Sequence, residues 1–462
     1  MLAFHLPQYH PIPENDEWWG KGFTEWTKVA KGRPLFPGHQ QPHQPADLGY
    51  YDLRLPEVRE QQADLARAAG IDGFVYYHYW FNGRRLLERP VNEILRLGRP
   101  DFPFCLCWAN ESWSRNWDGH NKQILMPQAH SAEDDARHIA WLLTAFADPR
   151  YIKIDGRPLF LIYRTALFPD IRRTAELWRR EAQKAGFPDL YLCSVRSFPE
   201  ELRDPAELGL DASVDFKPNC TNPGERLASD NPVEVGYRLH RVFHYDQLVR
   251  TALRASLPGY AIFPSVTPSW DNSVRRHEGG VIFAGATPDK YRDWLQEVLI
   301  REHFRPQRDH LVFINAWNEW AEGNHLEPCE RWGHGYLTAT REAKTNARAF
   351  AAAITWSAGD IIEAPQSKWL LSAIERFEIC DSHSQMQGWC FWSQNGRPAD
   401  LIVLAERLEG DRYRLLRPVM LQRLPRSDVA HRFVCDGPAS YGWCDHGQDL
   451  GGRTADSLAV LA

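Results

Sequence analysis

Two glutamates three positions apart, Glu319 and Glu322, lie in the segment INAWNEWAEGNHLEP, residues 314–328. Two carboxyl groups held close together can perform acid–base chemistry, because one can carry a proton while the other is ionised. Acidic residues number 60 among 462, so a glutamate has another acid three positions on by chance roughly one time in eight. The spacing alone therefore leaves open both a catalytic pair and an acidic surface loop.

The surroundings of the pair favour cleavage of a glycosidic bond. This reaction builds positive charge at the anomeric carbon and negative charge on the departing oxygen, so it needs one protonated acid and one carboxylate. Trp317 and Trp320 are expected to raise the pKa of one carboxyl group, and the amide of Asn318 to keep the other ionised. We therefore predict Glu319 and Glu322 as catalytic residues, with Trp317 and Asn318 among the substrate-binding residues.

Eight short apolar runs alternate with helical patterns, which is typical of βα units around a parallel sheet. The predicted strands are 2–9, 73–80, 103–110, 158–164, 190–195, 213–219, 260–270 and 311–320. The predicted helices are 56–69, 90–97, 132–147, 170–185, 244–255, 338–353 and one that begins at Thr287 and Pro288. This pattern predicts an α/β fold, a closed (β/α)8 TIM barrel. An open doubly wound sheet is the alternative, disfavoured because no glycine-rich phosphate loop follows the first strand.

The active site of such a barrel is built where the strands end. Five predicted strand ends carry tryptophan together with Asn, Asp, Glu or His, and a random distribution would not gather these residues at one end. The further predicted substrate-binding residues are His78, Tyr79, Trp80, Trp108, Asn110, Glu111, Trp113, Trp270, Asp271 and Asn272. Structural alternatives remain open: a core histidine for His78, a cap for the group that begins at Trp108, and a turn for Asp271 with Asn272.

Other kinds of site find little support. His39 and His43 have the HxxxH spacing of a zinc site, but Pro37, Pro42 and Pro45 prevent the helix that would align them. The sequence also lacks the G-x-S-x-G elbow of many serine hydrolases and any phosphate-binding loop. We expect no metal and no cofactor.

Composition limits the class of partner. The net charge of −6 argues against nucleic acid and membrane surfaces, and no apolar run is long enough to span a bilayer. The 19 tryptophans suit a poly- or oligosaccharide substrate, since sugar C–H faces pack on aromatic rings. The oligomeric state stays open. The first residues, MLAFHLPQYH, lack the pattern of a signal peptide, so we expect a cytoplasmic protein or one from which a leader has been removed.

The last quarter of the chain differs from the rest. The stretch GWCFWSQNGRPADLIVLAERLEGDRYRLLRPVML contains short strand patterns and tight turns without helical periodicity. We predict a catalytic barrel over residues 1–355, a connector over 356–374, and a small all-β, sandwich-like accessory domain over 375–462.

Five segments closely resemble the WbsX-type proteins, which are often labelled glycosyltransferases of O-antigen and polysaccharide gene clusters. The segments are AFHLPQYHPIPENDEWWGKGFTEW, GFVYYHYWFNGRRLLE, FPFCLCWANESWSRNWDG, SWDNSVRR and FINAWNEWAEGNHLEP. WbsX-type proteins are in turn similar to glycoside hydrolase family 99, whose members are retaining endo-α-mannosidases and endo-α-mannanases on (β/α)8 barrels. The resemblance, which spans about residues 2–350, therefore also implies a barrel.

The family 99 motif Asn-Glu-Trp-x-Glu-Gly is matched by Asn318 through Gly323. The resemblance implies that Glu319 acts as base on the substrate 2-hydroxyl, and Glu322 as general acid and then base. The hydroxyl displaces the leaving group to give a 1,2-anhydro sugar, which departs from the usual retaining scheme. Water or an acceptor then opens this sugar with net retention. The 2-hydroxyl must lie trans to the leaving group, as in α-mannosides and α-L-rhamnosides.

The leading prediction is a retaining glycoside hydrolase-like enzyme that cleaves such linkages in bacterial polysaccharide or O-antigen. The opening segment follows the WbsX pattern, so mannose specificity is not carried over. The alternatives are a glycosyltransferase or transglycosylase of O-antigen assembly, and a non-catalytic glycan-binding barrel. The absence of a Rossmann-like pair and of an Asp-x-Asp loop disfavours nucleotide-sugar transfer. The stretch LQRLPRSDVAHRF resembles a β-sandwich module attached to bacterial glycosyltransferases, which implies an accessory role, either glycan-binding or structural.

Overall fold

Eight parallel strands form the central sheet. This computed structural model describes residues 1–353, except 116–122, 232, 256–257, 277, 304 and 306–308, together with the backbone of nine strands between residues 361 and 461. The strands of the central sheet are β1 (Leu2–His5), β2 (Gly73–Phe81), β3 (Phe104–Trp108), β4 (Arg157–Ile162), β5 (Tyr191–Val195), β6 (Ala212–Val214), β7 (Ile262–Phe263 and Ser265–Val266) and β8 (Phe313–Ile314).

The order of these strands in space follows their order in the chain. Each strand from β2 to β7 pairs in parallel with its predecessor, and β8 pairs with β1, where Leu2 lies opposite Phe313. The two segments of β7 pair with β6 and with β8, respectively. Pro264, which has no N–H for the ladder, separates them. The result is a nearly closed parallel barrel, consistent with the predicted (β/α)8 TIM barrel.

The helices lie between the strands in sequence. Those that the structure describes are Pro13–Trp19, Glu25–Val29, Pro56–Ala68, Arg89–Leu97, Ala132–Phe146, Ile171–Lys184, Val235–Leu239, Tyr245–Arg254, Pro288–His303 and Gly335–Ala353. All seven predicted helices are confirmed to within a few residues at each end. The three that were not predicted have five to seven residues, too few for a hydrophobic period to show. No helix in the described part of the chain is long and apolar enough to cross a membrane.

The core of the barrel is built from strand residues that are buried on both faces. All nine positions of β2 and all five of β3 are buried, as expected of parallel strands covered by helices. Cys105, Cys107 and Cys193 lie among them as free thiols. Burial raises the pKa of each thiol, so these cysteines stay protonated and act as small apolar side chains.

The nine strands beyond residue 360 form two antiparallel sheets. One contains, in spatial order, Ile361–Glu363, Arg412–Pro418, Val403–Arg407 and Leu458–Leu461. The other contains Leu370–Cys380, His383–Trp392, Gly442–Gln448 and Gln422–Leu424, with Arg397–Pro398 beside the second strand. Contacts assign Ala349–Ala462 to a second unit with His303–Pro306. The boundaries 1–355, 356–374 and 375–462 stay predictions, and most of LQRLPRSDVAHRF lies outside the described residues.

Candidate active site

A tight hairpin after β8 carries both glutamates. Asn318–Glu319 pairs antiparallel with Asn324–His325, and the 3-10 turn Trp320–Glu322 joins them. Gly323 ends this turn at a φ of +55°, a conformation that favours glycine. A Cβ atom there would lie 3.0 Å from the Gln41 amide nitrogen and 3.1 Å from Cβ of Asp271. The turn therefore requires glycine, and the glycine in turn fixes the position of Glu322.

Both glutamates line a cavity of about 860 Å³. This volume lies within the range of sites that bind small ligands. Its wall contains aromatic side chains, among them Trp19, Tyr77 and Tyr163, together with amides such as those of Asn15 and Asn219. Aromatic faces with interspersed hydrogen-bonding groups match the surface of a sugar, which has apolar C–H patches between its hydroxyl groups.

Arg275 connects three carboxylates at the floor of the cavity. Its Nη2 lies 2.6 Å from Glu319 and its Nη1 lies 2.8 Å from Glu322. Its Nε donates to Glu25 at 3.0 Å, and the other oxygen of Glu25 accepts from Gln8 at 3.4 Å. The Glu25 side chain is fully buried and that of Arg275 is 14% exposed. One guanidinium thus positions both predicted catalytic acids, and Glu25 holds that guanidinium in place.

The environment raises the pKa of both acids. Burial raises the pKa of Glu319 to about 8, opposed by the positive charge of Arg275 and reinforced by the negative charges of Glu322 and Glu25. Burial also raises the pKa of Glu322, with the same opposition from Arg275 and reinforcement from Glu25. Three carboxylates around one guanidinium repel one another, so the Glu319–Glu322 pair holds a proton at neutral pH. This proton belongs to the pair and not to Glu319 alone, and a general acid at Glu322 requires the form of the pair in which Glu322 carries it.

The cause of these shifts differs from the one that the sequence suggested. The Asn318 side chain does not face the pair: its oxygen accepts from the Leu6 N–H at 2.7 Å and its nitrogen donates to the Leu6 carbonyl at 3.0 Å. Trp317 is fully buried, and the Trp320 indole donates to Glu327 at 2.6 Å. These side chains secure the hairpin to the barrel and lie outside the cavity, and of residues 317–322 only Glu319 and Glu322 line it.

Five of the predicted substrate-binding residues line the cavity. They are Tyr79, Glu111, Trp113, Trp270 and Asn272. The Trp113 ring packs edge-on against Tyr79, with centroids 5.1 Å apart, and Glu111 forms an ion pair with Arg164 at 2.6 Å. The structure thus brings these five together with Glu319 and Glu322, although their contact with a substrate stays a prediction.

Three predicted residues on and after β2 and β3 lie outside the cavity, in a buried aromatic cluster. His78 Nε2 lies 2.9 Å from Nε2 of His138, and its ring stacks on Trp141. Burial lowers the pKa of His78 to about 3, so the ring is neutral. The Trp80 indole donates to Asp134 at 3.0 Å, and the Trp108 indole donates to the Trp80 carbonyl at 3.2 Å. The core-histidine alternative therefore fits His78 better than substrate contact, and Trp80 and Trp108 pack in the same buried cluster.

Asn110 and Asp271 also lie outside the cavity. The Asn110 side chain exchanges two hydrogen bonds of 2.8 Å with the backbone of Arg164, which positions the partner of Glu111. The Asp271 carboxyl group accepts a hydrogen bond of 2.6 Å from His39 Nε2 on the far side of the cavity wall, and the Asp271 N–H donates to the Glu322 carbonyl at 2.6 Å. Both residues support the site from behind.

The histidines with zinc-like spacing are used elsewhere. His39 contacts Asp271, whereas His43 Nδ1 lies 2.8 Å from His325 Nε2. Within the described ranges, no group of three or more His, Cys, Asp or Glu side chains is arranged to hold a metal ion.

Arg275 and Glu25 are the site residues that the sequence reasoning missed. Both lie in segments that the resemblance had marked, SWDNSVRR and ENDEWWGKGFTEW, and each follows a predicted strand. The available signal was charge balance: two acids in an apolar setting require a nearby cation. Arg275 and Arg276 both follow β7, the neighbour of β8 in the barrel, so both were candidates for that cation.

Comparisons with known proteins place the chain in a family. The profile of the family described as Glycosyltransferase WbsX matches residues 1–340. Relatives from two strains of Xanthomonas campestris pv. campestris, both called uncharacterized protein WxcX, are 46% identical over 348 residues, which is 75% of this chain and 50% of each relative. The chain thus spans about half the length of the curated relatives it matches.

Solved structures that match this chain include an endo-α-mannosidase of glycoside hydrolase family 99 from Bacteroides thetaiotaomicron. Its TM-score is 0.47 at 16% identity, covering 76% of this chain and 98% of that one. A glycoside hydrolase-like protein has a TM-score of 0.45 at 15% identity, with coverages of 65% and 89%. Because the family profile matches well over half of the residues, this chain belongs to the glycosyltransferase WbsX family.

Proposed function

We propose that the barrel is a retaining glycoside hydrolase-like enzyme in which Glu319 and Glu322 are catalytic. The observation that carries this proposal is the pair itself: two buried carboxyl groups, linked by Arg275, with a raised pKa and an opening into an 860 Å³ cavity. Groups with a strongly shifted pKa in a cleft are characteristic of catalytic sites. Binding of a glycan alone does not require a carboxyl pair that carries a proton, whereas glycosidic cleavage does.

Glu319 and Glu322 divide the work as the sequence resemblance implies. Glu319 takes the proton of the substrate 2-hydroxyl as the 2-oxygen attacks the anomeric carbon, and Glu322 gives its proton to the departing oxygen. The resulting 1,2-anhydro sugar is opened when Glu322 takes a proton from water and the water oxygen attacks the anomeric carbon. Glu319 then returns its proton to the 2-oxygen. Atoms and protons balance, and the anomeric configuration is retained.

Arg275 lets the two acids exchange roles. The guanidinium contacts both carboxyl groups, so it stabilises whichever of them is ionised as the proton moves between substrate and protein. Glu25 keeps Arg275 from neutralising the pair fully, which preserves the raised pKa that a general acid needs.

The proposed substrate is a bacterial polysaccharide or O-antigen with α-manno- or α-L-rhamno-configured linkages. A 2-hydroxyl trans to the leaving group is the requirement that selects these sugars. Transglycosylation is the second candidate, because an acceptor hydroxyl can replace water in the second step and the family carries the name of a transferase. We also propose that the strands beyond residue 360 form the sandwich-like accessory domain.

The test is a panel of α-mannans and rhamnose-rich O-antigens incubated with the protein and with the Glu319→Gln and Glu322→Gln variants. Release of oligosaccharide by the wild type alone supports hydrolysis, and longer products in the presence of added acceptor support transglycosylation. Binding that is equal in all three proteins, with no product under any condition, would overturn the catalytic proposal. Circular dichroism of both variants verifies that they are folded.

A further inference from the structure

Two arginines in the cavity wall have no acidic partner among the residues that the structure describes. Arg241 and Arg276 both line the cavity and are exposed, and neither forms an ion pair with any residue that the structure describes. The other arginines of this region behave differently. Arg275 contacts three carboxylates, and Arg164 contacts Glu111 at 2.6 Å and a second buried glutamate. Arg164 and Arg275 are thus held by carboxylates, whereas the exposed side chains of Arg241 and Arg276 have no such partner in the described part of the chain.

The backbone places Arg241 and Arg276 on one side of the cavity. Arg241 lies opposite Val281 in a two-stranded parallel ladder and donates its N–H to the Gly280 carbonyl at 2.8 Å. Val281 in turn donates its N–H to the side chain of Asn272 at 2.8 Å, and the turn after Asn272 leads to Arg276. Arg241 comes before β7 in the chain and Arg276 comes after it, and the ladder with Val281 brings their two segments side by side in one wall.

This side of the cavity is the side of Glu322. The Glu322 carbonyl accepts from the Asp271 N–H at 2.6 Å, and its carboxyl group lies 2.8 Å from Arg275, the residue before Arg276. In the proposed reaction Glu322 protonates the departing oxygen, so the sugar or other group that leaves lies on this side. The acidic residue nearest in sequence, Glu278, is exposed and does not line the cavity.

We propose that Arg241 and Arg276 form an anion subsite that binds a negatively charged group on the leaving-group side of the substrate. A guanidinium binds carboxylate and phosphate oxygens through paired N–H groups, which neutral hydroxyls match less well. Two sources supply this chemistry: the carboxylate of an acidic sugar unit, or the phosphate of a glycosyl phosphate. The inference rests on the proposed function for the assignment of the leaving-group side.

The test measures binding, so it does not depend on turnover. The Glu322→Gln protein is titrated by calorimetry, in phosphate-free buffer of low ionic strength, with two matched pairs of probes. The first pair is α-D-mannose 1-phosphate and methyl α-D-mannopyranoside. The second is an oligouronate and the same oligosaccharide after reduction of its carboxyl groups. The same titrations are made on two further proteins that also carry Glu322→Gln. One has Arg241→Gln and Arg276→Gln together, and the other has Arg96→Gln, which replaces an exposed arginine outside the cavity.

We expect the anionic member of at least one pair to bind about tenfold more tightly, and this preference to fall below about threefold without Arg241 and Arg276. The Arg96→Gln protein should keep the preference, and added salt should weaken it. A preference for mannose 1-phosphate alone points to glycosyl phosphates, and one for the oligouronate alone points to acidic glycans. Equal binding within both pairs, or a preference that survives loss of the two arginines, overturns the subsite. If the preference is found but the wild type cleaves nothing, the proposed function fails and the subsite stands.

Discussion

Replacing Glu25 with glutamine tests how the charges around Arg275 set the protonation of the pair. Glu25 is negative and favours the protonated forms of Glu319 and Glu322, so its removal must lower the pKa of the pair. Glutamine has nearly the same shape and can still accept a hydrogen bond from Arg275. The substitution therefore changes the charge with little change in packing.

The size of the effect follows from the geometry. Glu25 and Glu319 contact the same nitrogen of Arg275 at 2.5 Å and 2.6 Å, so the two oxygens are at most about 5 Å apart. Two unit charges at this separation interact by about 3 kcal/mol at an effective dielectric constant of about 20, which corresponds to about two pKa units. Because the surrounding protein relaxes around the changed charge, we expect a slightly smaller effect, a fall of about one to two units in the pKa of the pair.

The assay is a pH titration of the glutamate δ-carbons by NMR, with the Glu319→Gln spectrum assigning the signal. Once a substrate is known, the alkaline limb of activity should move down by the same amount, because the general acid loses its proton at lower pH. The control is Glu93→Gln, which removes a carboxylate bound to Arg59 at 2.9 Å and does not line the cavity. An unmoved or increased pKa in folded Glu25→Gln protein would refute the reasoning.

Three further substitutions test the positioning of the site. Gly323→Ala should lower the free energy of unfolding by about 1–2 kcal/mol and activity at least tenfold, because the new Cβ meets Gln41 and Asp271; urea unfolding and kcat check this. Asn110→Ala should lower the free energy of unfolding by about 2–3 kcal/mol, because two hydrogen bonds to the Arg164 backbone are lost. Unchanged stability together with a raised KM would instead identify a direct contact between Asn110 and the substrate. Burial raises the pKa of Glu327 to about 7, so the folded state retains its proton more tightly than the unfolded chain, and stability falls as pH rises from about 4.5 to about 7. In the Glu327→Gln protein, the Tm should therefore fall less between pH 4.5 and pH 7 than in the wild type. An identical pH dependence of Tm in the two proteins would contradict this prediction.

The barrel could be predicted from the sequence because its strands are short, apolar and separated by well-marked helices. The strand ends were harder to place. The first strand was predicted over 2–9, but only Leu2–His5 pairs with its neighbours in the barrel. The last was predicted over 311–320, but only Phe313–Ile314 pairs there. Sequence patterns continue past these points because the chain stays buried, whereas the ladder stops where neighbouring strands diverge to form the site.

The position of the glutamate pair was predictable, but the direction of its neighbours was not. Side chains alternate between the two faces of a sheet only within a strand. Trp317 and Asn318 lie beyond the end of β8, so this alternation could not predict that their side chains are buried in the core. The role of Arg275 depends on a contact between residues 44 positions apart, and no local pattern reveals such a contact. Residue types marked the region of the site, and only the folded chain assigns each side chain to cavity or core.

The most direct test of the account asks whether Glu322 supplies the leaving-group proton and Glu319 does not. Fluoride needs no proton to leave an α-glycosyl fluoride, so cleavage of this substrate does not require a general acid. The substrate has the sugar configuration found in the panel, and fluoride release is followed with a fluoride electrode. The account predicts that Glu322→Gln releases fluoride in its first turnover at close to the wild-type rate while failing to cleave the glycan. Later turnovers slow, because Glu322 is also the base that opens the 1,2-anhydro sugar. It also predicts that Glu319→Gln fails with both substrates, since the 2-hydroxyl then lacks its base. Release of fluoride by Glu319→Gln but not by Glu322→Gln, or by neither variant, would contradict the assigned roles.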